Sequence, residues 1–228
     1  MKIRAIVTDI EGTTSSIDFV HRILFPYSQK ALPEYVRSFA QQIEIADIIL
    51  QVRQEIGQPD ASVECVIDTL LGWIIEDKKI TPLKTLQGFL WEYGFKSGEF
   101  QGHVYQDAAQ NLKQWYELGI KLYAFSSGSV KAQKLLFGYS EYGDLTNLFS
   151  GYFDTKIGNK KQIKSYQNIA EAVAIASQNM LFLSDVVAEL DAALDAGYHT
   201  CLLARDTILD NSNNHQIVSN FDQIKLDF

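Results

Sequence analysis

Short apolar runs at residues 2–8, 120–125, 180–183 and 198–203 are separated by stretches in which apolar residues recur at helical spacing, at 108–118, 129–137, 162–176 and 187–196. Strands of period two and helices of period 3.6 bury different faces, so their alternation leaves few ways to hide every apolar run. The arrangement that does so is a parallel sheet covered on both faces by helices. In such a sheet ligands sit beyond the carboxyl ends of the strands. The first run stops at Asp9 and a glycine-containing turn, the second at Ser126 and Ser127, the third at Ser184 and Asp185. These distant residues are therefore expected to converge at one edge of the sheet.

The segment from Phe19 to Phe100 behaves differently. It lacks clear strands and carries helix-spaced apolar residues, as in Val63, Val66, Ile67, Leu70, Leu71 and Ile74. The expected fold is thus an α/β, Rossmann-like core of residues 1–15 and 105–228, with an all-helical domain of residues 16–104 inserted after the first strand. Pro59 and Pro82 are expected to open helices within the insertion, since proline is favoured in a first helical turn.

Charge and cysteine content narrow the partners. With 20 basic and 28 acidic side chains the net charge is −8, which argues against a nucleic acid or an anionic membrane surface as partner. An anionic small molecule has to be held by a few local donors and a cation. Cys65 and Cys201 lie far apart with no metal or redox spacing, which fits a reduced, cytoplasmic setting. The opening MKIRAIVTDI has an apolar run too short for a secretory signal, and nothing approaches the roughly 18 apolar residues of a membrane span. No apolar seam demands a partner subunit, so a monomer is expected.

Four elements carry chemistry. In Asp9-Ile10-Glu11-Gly12-Thr13, two acids two positions apart on a turn can both point into one site. A carboxylate can attack phosphorus when a cation offsets phosphate repulsion, and a neighbouring acid can protonate the leaving oxygen. Phe125-Ser126-Ser127-Gly128-Ser129, a strand end opening into a helix, suits an anion, although serines there also serve as helix caps. Lys156, Lys160, Lys161 and Lys164 offer a cation, and spacing does not choose among them. Asp185 follows an apolar strand, where a hard oxygen ligand suits magnesium. Glu189, about a turn later, either braces metal-bound water or answers the helix dipole. His21, His103, His199 and His215 lack metal-ligand spacing and read as structural; Trp73, Trp91 and Trp115 read as packing residues.

In this order, an acid-x-acid turn, a serine, a lysine and a final acid resemble the motifs of the haloacid-dehalogenase superfamily, and the helical insertion resembles its cap. The runs DIEGTTSSIDFV, LFPY, LQGFLW, FSSGSVKAQKLLFG, GYFDTKIGNK and LFLSDVVAELDAA closely resemble the enolase-phosphatases of methionine salvage, from Ile6 to about Arg205. Glutamate at the second acid is characteristic of that family. The resemblance implies Asp9 as nucleophile and magnesium ligand, and Glu11 as general acid/base that also meets the metal through its backbone carbonyl. It implies Ser126 and Ser127 as substrate-binding residues, Lys160 as the phosphate-binding lysine through GNK, and Asp185 as the remaining ligand of one Mg²⁺. Ala108-Ala109-Gln110 departs from the more proline-rich helix start expected there, which touches packing and no active-site residue.

The implied reaction converts 2,3-diketo-5-methylthiopentyl-1-phosphate to its enol phosphate, then to acireductone and phosphate. Three rivals are weaker. Another small-molecule phosphatase would share the core motifs but not the insertion and flanking runs. A dehalogenase has no need of Glu11 as acid/base. A phospho-accepting receiver domain needs no large helical insertion.

Overall fold

The computed structural model describes residues 2–205 and 214–227. The chain forms two compact units, Met1–Ile17 with Gln101–Phe228, and Asp18–Phe100. The first holds a six-stranded sheet of β1 (Ala5–Thr8), β2 (Lys121–Phe125), β3 (Phe149–Phe153), β4 (Met180–Ser184), β5 (His199–Leu203) and β6 (Gln216–Val218). The order is β3-β2-β1-β4-β5-β6, and every neighbouring pair is parallel. β1 and β4 are buried along their whole length, as central strands covered on both faces must be. Thr8 pairs with Ala124 on one side and Leu183 on the other. Asp9, Ser126 and Asp185 therefore leave the sheet within a residue of the same level, where the strand order reverses.

Two strands were not expected from the sequence. β3 is FSGYF, an outer strand whose last three residues are only half-buried, with Ser150 and Gly151 breaking the apolar run. β6 is three residues, QIV, at the opposite edge. Edge strands need only one buried face, and neither leaves a continuous apolar signature.

The inserted unit is helical. A run from Ile17 to Phe39 comprises α1 (Ile17–Phe19), a π-helical segment Val20–Leu24, and α2 (Phe25–Phe39). The Leu24 carbonyl within the π segment accepts from the Trp91 indole N–H at 3.3 Å. α3 (Ile43–Glu55), α4 (Val63–Ile75) and α5 (Thr81–Ser97) complete the unit around Leu32, Val52, Leu70, Leu86 and Leu90, all fully buried. Pro82 sits in the first turn of α5, as expected. Pro59 does not open a helix: it lies in a loop, and α4 begins after Ser62, whose hydroxyl accepts from the Cys65 amide at 3.2 Å. A side-chain oxygen at the cap satisfies an orphan amide, which proline three positions upstream cannot do.

In the sheet unit the helices are α6 (Gln106–Glu117), α7 (Val130–Gly138), α8 (Ile163–Val173) and α9 (Val187–Asp195). One core layer joins Val7, Phe125, Phe182 and Leu202 of the sheet to Tyr166 and Ile169 of α8 and to Leu190 of α9. Among the described residues no helix is long and apolar enough to cross a membrane.

Candidate active site

The turn after β1 is built on two carbonyls. The Ile10 carbonyl accepts from the amides of Thr13, Thr14 and Ser15 at 3.2, 2.9 and 2.8 Å. The Asp9 carbonyl accepts from the hydroxyls of Thr8 and Thr14 at 2.9 and 2.6 Å. Gly12 lies at φ +81°, and a Cβ there would collide with the Asp185 carboxylate, so glycine is required both for the turn and for that close approach. Thr13 donates to Asp185 Oδ1 at 3.4 Å. The threonine pair carries the turn, and sequence reasoning passed over it; its signal was two hydroxyl residues directly after the acid-x-acid-glycine run.

Asp9 is 3% exposed. Its Oδ1 accepts from the Ile10 amide at 2.7 Å and meets Lys160 Nζ at 2.6 Å. Burial raises this carboxyl, Lys160 opposes the shift, and Glu189 and Glu11 add to it, so that it stands at about 8. Of the four candidate lysines the structure buries Lys160 and leaves Lys156, Lys161 and Lys164 exposed. Lys160 also meets Glu189 Oε2 at 2.7 Å. Burial alone would lower the lysine, but the two carboxylates outweigh it and hold it above its ordinary value, charged.

The loop carrying Lys160 is fastened to α8. Tyr166 donates to the Lys160 carbonyl at 2.6 Å and Ser165 donates to the Asn159 carbonyl at 2.6 Å. Glu189 is itself held by the Ser184 hydroxyl at 3.0 Å. Its contact is with the lysine, and its place in the first turn of α9 also suits the helix dipole.

On the other side of Asp9, Ser126 is fully buried and donates to Glu11 Oε2 at 3.0 Å while accepting from the Gly128 amide at 2.9 Å. The cap of α7 is a different serine, Ser129, which accepts from Ala132 at 3.2 Å. Ser127 is exposed beside Ser126, and among the described residues its hydroxyl meets none of the other candidates. Asp185 is exposed at the end of β4. The structural histidines have local partners: His103 Nδ1 accepts from the Ser16 amide at 3.0 Å, and His215 lies between Thr200 Oγ1 at 2.8 Å and Asp191 Oδ1 at 3.2 Å.

An enolase-phosphatase E1 of Yersinia pestis (strain Pestoides F) is 53% identical over 224 residues, 98% of this chain and 97% of that protein. The chain belongs to the enolase-phosphatase E1 family. The crystal structure of the UTR4 protein of Saccharomyces cerevisiae covers 97% of this enolase-phosphatase and 100% of itself, with a TM-score of 0.83 at 32% identity. A HAD phosphatase of Thermococcus onnurineus shares the fold, with a TM-score of 0.61 at 13% identity over 96% and 95% of the two chains. No family model matches.

Whether this enolase-phosphatase suits a divalent cation can be tested on its donors. Among the described residues no group of three or more Asp, Glu, His or Cys side chains is assembled as a full protein cage. Two carboxylates are placed, Asp9 at the end of β1 and Asp185 packed over Gly12. Asp9, Glu11, Asp185 and Glu189 also outnumber the one ammonium among them. Few carboxylates and excess negative charge suit magnesium, which keeps several waters. The residues fit.

Proposed function

We propose that this enolase-phosphatase acts on 2,3-diketo-5-methylthiopentyl-1-phosphate in methionine salvage, first enolising it and then removing phosphate to give acireductone. The observation that carries the reading is the buried Asp9 carboxylate, gripped through Oδ1 by Lys160 and the Ile10 amide, with Glu11 two residues away on the same turn.

The Asp9 carboxylate is the nucleophile toward phosphorus. The bond between phosphorus and the ester oxygen breaks as an aspartyl phosphate forms, and Glu11 gives its proton to the departing oxygen. Glu11 then takes a proton from the water that hydrolyses the aspartyl phosphate, restoring both acids. Lys160 offsets charge on Asp9 and on the phosphoryl oxygens, and Ser126, Ser127 and the amides opening α7 hold the phosphate. Asp9, Asp185 and the Glu11 backbone carbonyl would hold one Mg²⁺, which when bound supplies a Lewis acid that neutralises phosphoryl and enolate charge. Asp9 must be ionised to act, and a bound cation would bring its carboxyl down from its raised value.

The helical unit Asp18–Phe100 is read as the cap domain. The protein is read as a cytoplasmic monomer; Cys65 and Cys201 are free thiols, as a reducing compartment favours.

The deciding experiment is rapid mixing with the diketo phosphate, following ultraviolet absorbance and free phosphate together. The enol phosphate is conjugated with the second ketone and should absorb before phosphate appears. A plain aryl phosphate, unable to enolise, should be far poorer. Phosphate release with no preceding absorbance would leave a phosphatase and remove the enolase.

A further inference from the structure

Arg205 and Asp107 take no part in the chemistry above, yet they join the catalytic turn to three distant parts of the sheet unit. Arg205 Nε donates to the Thr13 carbonyl at 2.7 Å. Its other two nitrogens form a fork on Asp107, at 3.1 Å to Oδ1 and 2.9 Å to Oδ2. The guanidinium lies 3.7 Å from the centre of the Tyr105 ring and 5.3 Å from that of Phe221. The Arg205 and Asp107 side chains are 9% and 17% exposed.

Asp107 Oδ2 also accepts from the Phe221 amide at 2.7 Å, and Phe221 stacks on Trp115 at 5.5 Å. Burial alone would raise Asp107, but the Arg205 and Phe221 hydrogen bonds outweigh it and hold this carboxyl below its ordinary value. The Tyr105 amide donates to the Thr14 carbonyl at 3.0 Å. The carbonyls of Thr13 and Thr14 are therefore both gripped from the 105–107 segment, the first through Arg205. Thr13 is also the residue whose hydroxyl meets Asp185.

We propose that Arg205, oriented by Asp107, is a positioning residue for the catalytic turn, fixing the Thr13 carbonyl so that Asp9, Glu11 and the Thr13 hydroxyl keep their aim. This rests on the roles given above to Asp9 and Glu11. Arginine suits this place because its three nitrogens donate in fixed directions while the guanidinium lies beside two rings, whereas a lysine is a single point charge. The Phe221 segment, which carries no motif, is tied to the catalytic turn through this clamp.

The test uses the full-length enzyme and three substitutions: Arg205→Lys, Asp107→Asn as a milder variant should the first fold poorly, and Asn111→Ala as a control. Asn111 donates to Asp222 at 2.6 Å and to the Asp107 carbonyl at 2.9 Å, touching the same network but not the turn. Arg205→Lys should speed amide exchange in the segment 10–15 about tenfold. It should also lower kcat by about tenfold or more with KM within about twofold, as small misplacements of reacting groups do. Asp107→Asn should move both in the same direction by less, and Asn111→Ala should lower the melting temperature alone. Wild-type exchange across residues 10–15 in folded Arg205→Lys, or an equal change in Asn111→Ala, overturns the proposal; so does an unchanged kcat. If the wild type releases no phosphate from the diketo ester, the functional reading falls by itself and amide exchange still decides Arg205.

Discussion

Lys160 Nζ lies 2.6 Å from Asp9 Oδ1, both side chains buried. The same ammonium serves Glu189 at 2.7 Å, so one buried cation faces two buried carboxylates. Without metal the surplus negative charge falls on Asp9, which burial and its acidic neighbours push to about 8.

The first prediction concerns Asp9→Asn. Phosphate release should be lost, because an amide is no anionic nucleophile. The metal-free protein should nevertheless become more stable. An aspartate ionises near 4 when unfolded and this one at about 8 when folded. Its folded form therefore binds the proton more tightly, and the wild type loses stability as pH rises from about 4 to about 8. Asparagine removes that slope and leaves Lys160 with Glu189. In EDTA at pH 8 the variant should melt higher, by about 2–4 °C for each kcal/mol relieved. Added magnesium should raise the melting temperature of the wild type and not of the variant. A variant that melts lower at pH 8 would contradict the charge imbalance.

The second concerns Gly12→Ala. The φ of +81° costs an alanine about 1–2 kcal/mol, and its Cβ would drive Asp185 off the turn. Magnesium affinity measured by calorimetry should fall at least tenfold, approaching that of Asp185→Ala. Wild-type affinity in Gly12→Ala would show that Asp185 does not hold the metal from its place over Gly12.

The third separates the two partners of Lys160. Lys160→Met leaves Asp9 and Glu189 buried with no cation, and breaking a buried pair in this way costs about 3–5 kcal/mol. Glu189→Gln should cost clearly less, since Lys160 keeps Asp9 and the amide can still accept from Ser184. Urea midpoints of the two variants measure the order. The reverse order would mean that Glu189, not Lys160, anchors the cluster.

The central strands were legible because they are buried on both faces and read as unbroken apolar runs; β1 and β4 are the clearest. β3 and β6 were not, since an edge strand with Ser150 and Gly151, or one of three residues, has no such run. Asp9, Ser126 and Asp185 stood out through their positions at strand ends. The choice of Lys160 over its three neighbours depended on resemblance, because burial is decided by how the 154–160 loop folds onto α8 through Tyr166. The clamp was out of reach for a different reason. Arg205 and Thr13 are separated by 192 positions, and only the parallel pairing of β1, β4 and β5 brings their ends together. A lone arginine after a strand carries no periodicity or spacing that reveals such a partner.

The last prediction uses the bond between Ser126 and Glu11. Ser126 donates to Glu11 Oε2 at 3.0 Å and is itself fixed by the Gly128 amide at 2.9 Å, so the acid is aimed before any substrate arrives. Glu11→Gln keeps the shape and the backbone carbonyl proposed for the metal but removes the proton that the leaving oxygen needs. Only the second step requires that proton. The enol should therefore still form from the diketo phosphate, and its absorbance should rise and persist while phosphate release slows by roughly 10²–10⁴-fold, the range of general acid catalysis. Substrate affinity should stay near that of the wild type, because neither Lys160 nor the α7 amides are altered. Stopped-flow absorbance against a phosphate sensor reads both steps in one mixing experiment. A variant that forms no enol would move Glu11 into the first step, and one that releases phosphate at the wild-type rate would remove it from the second.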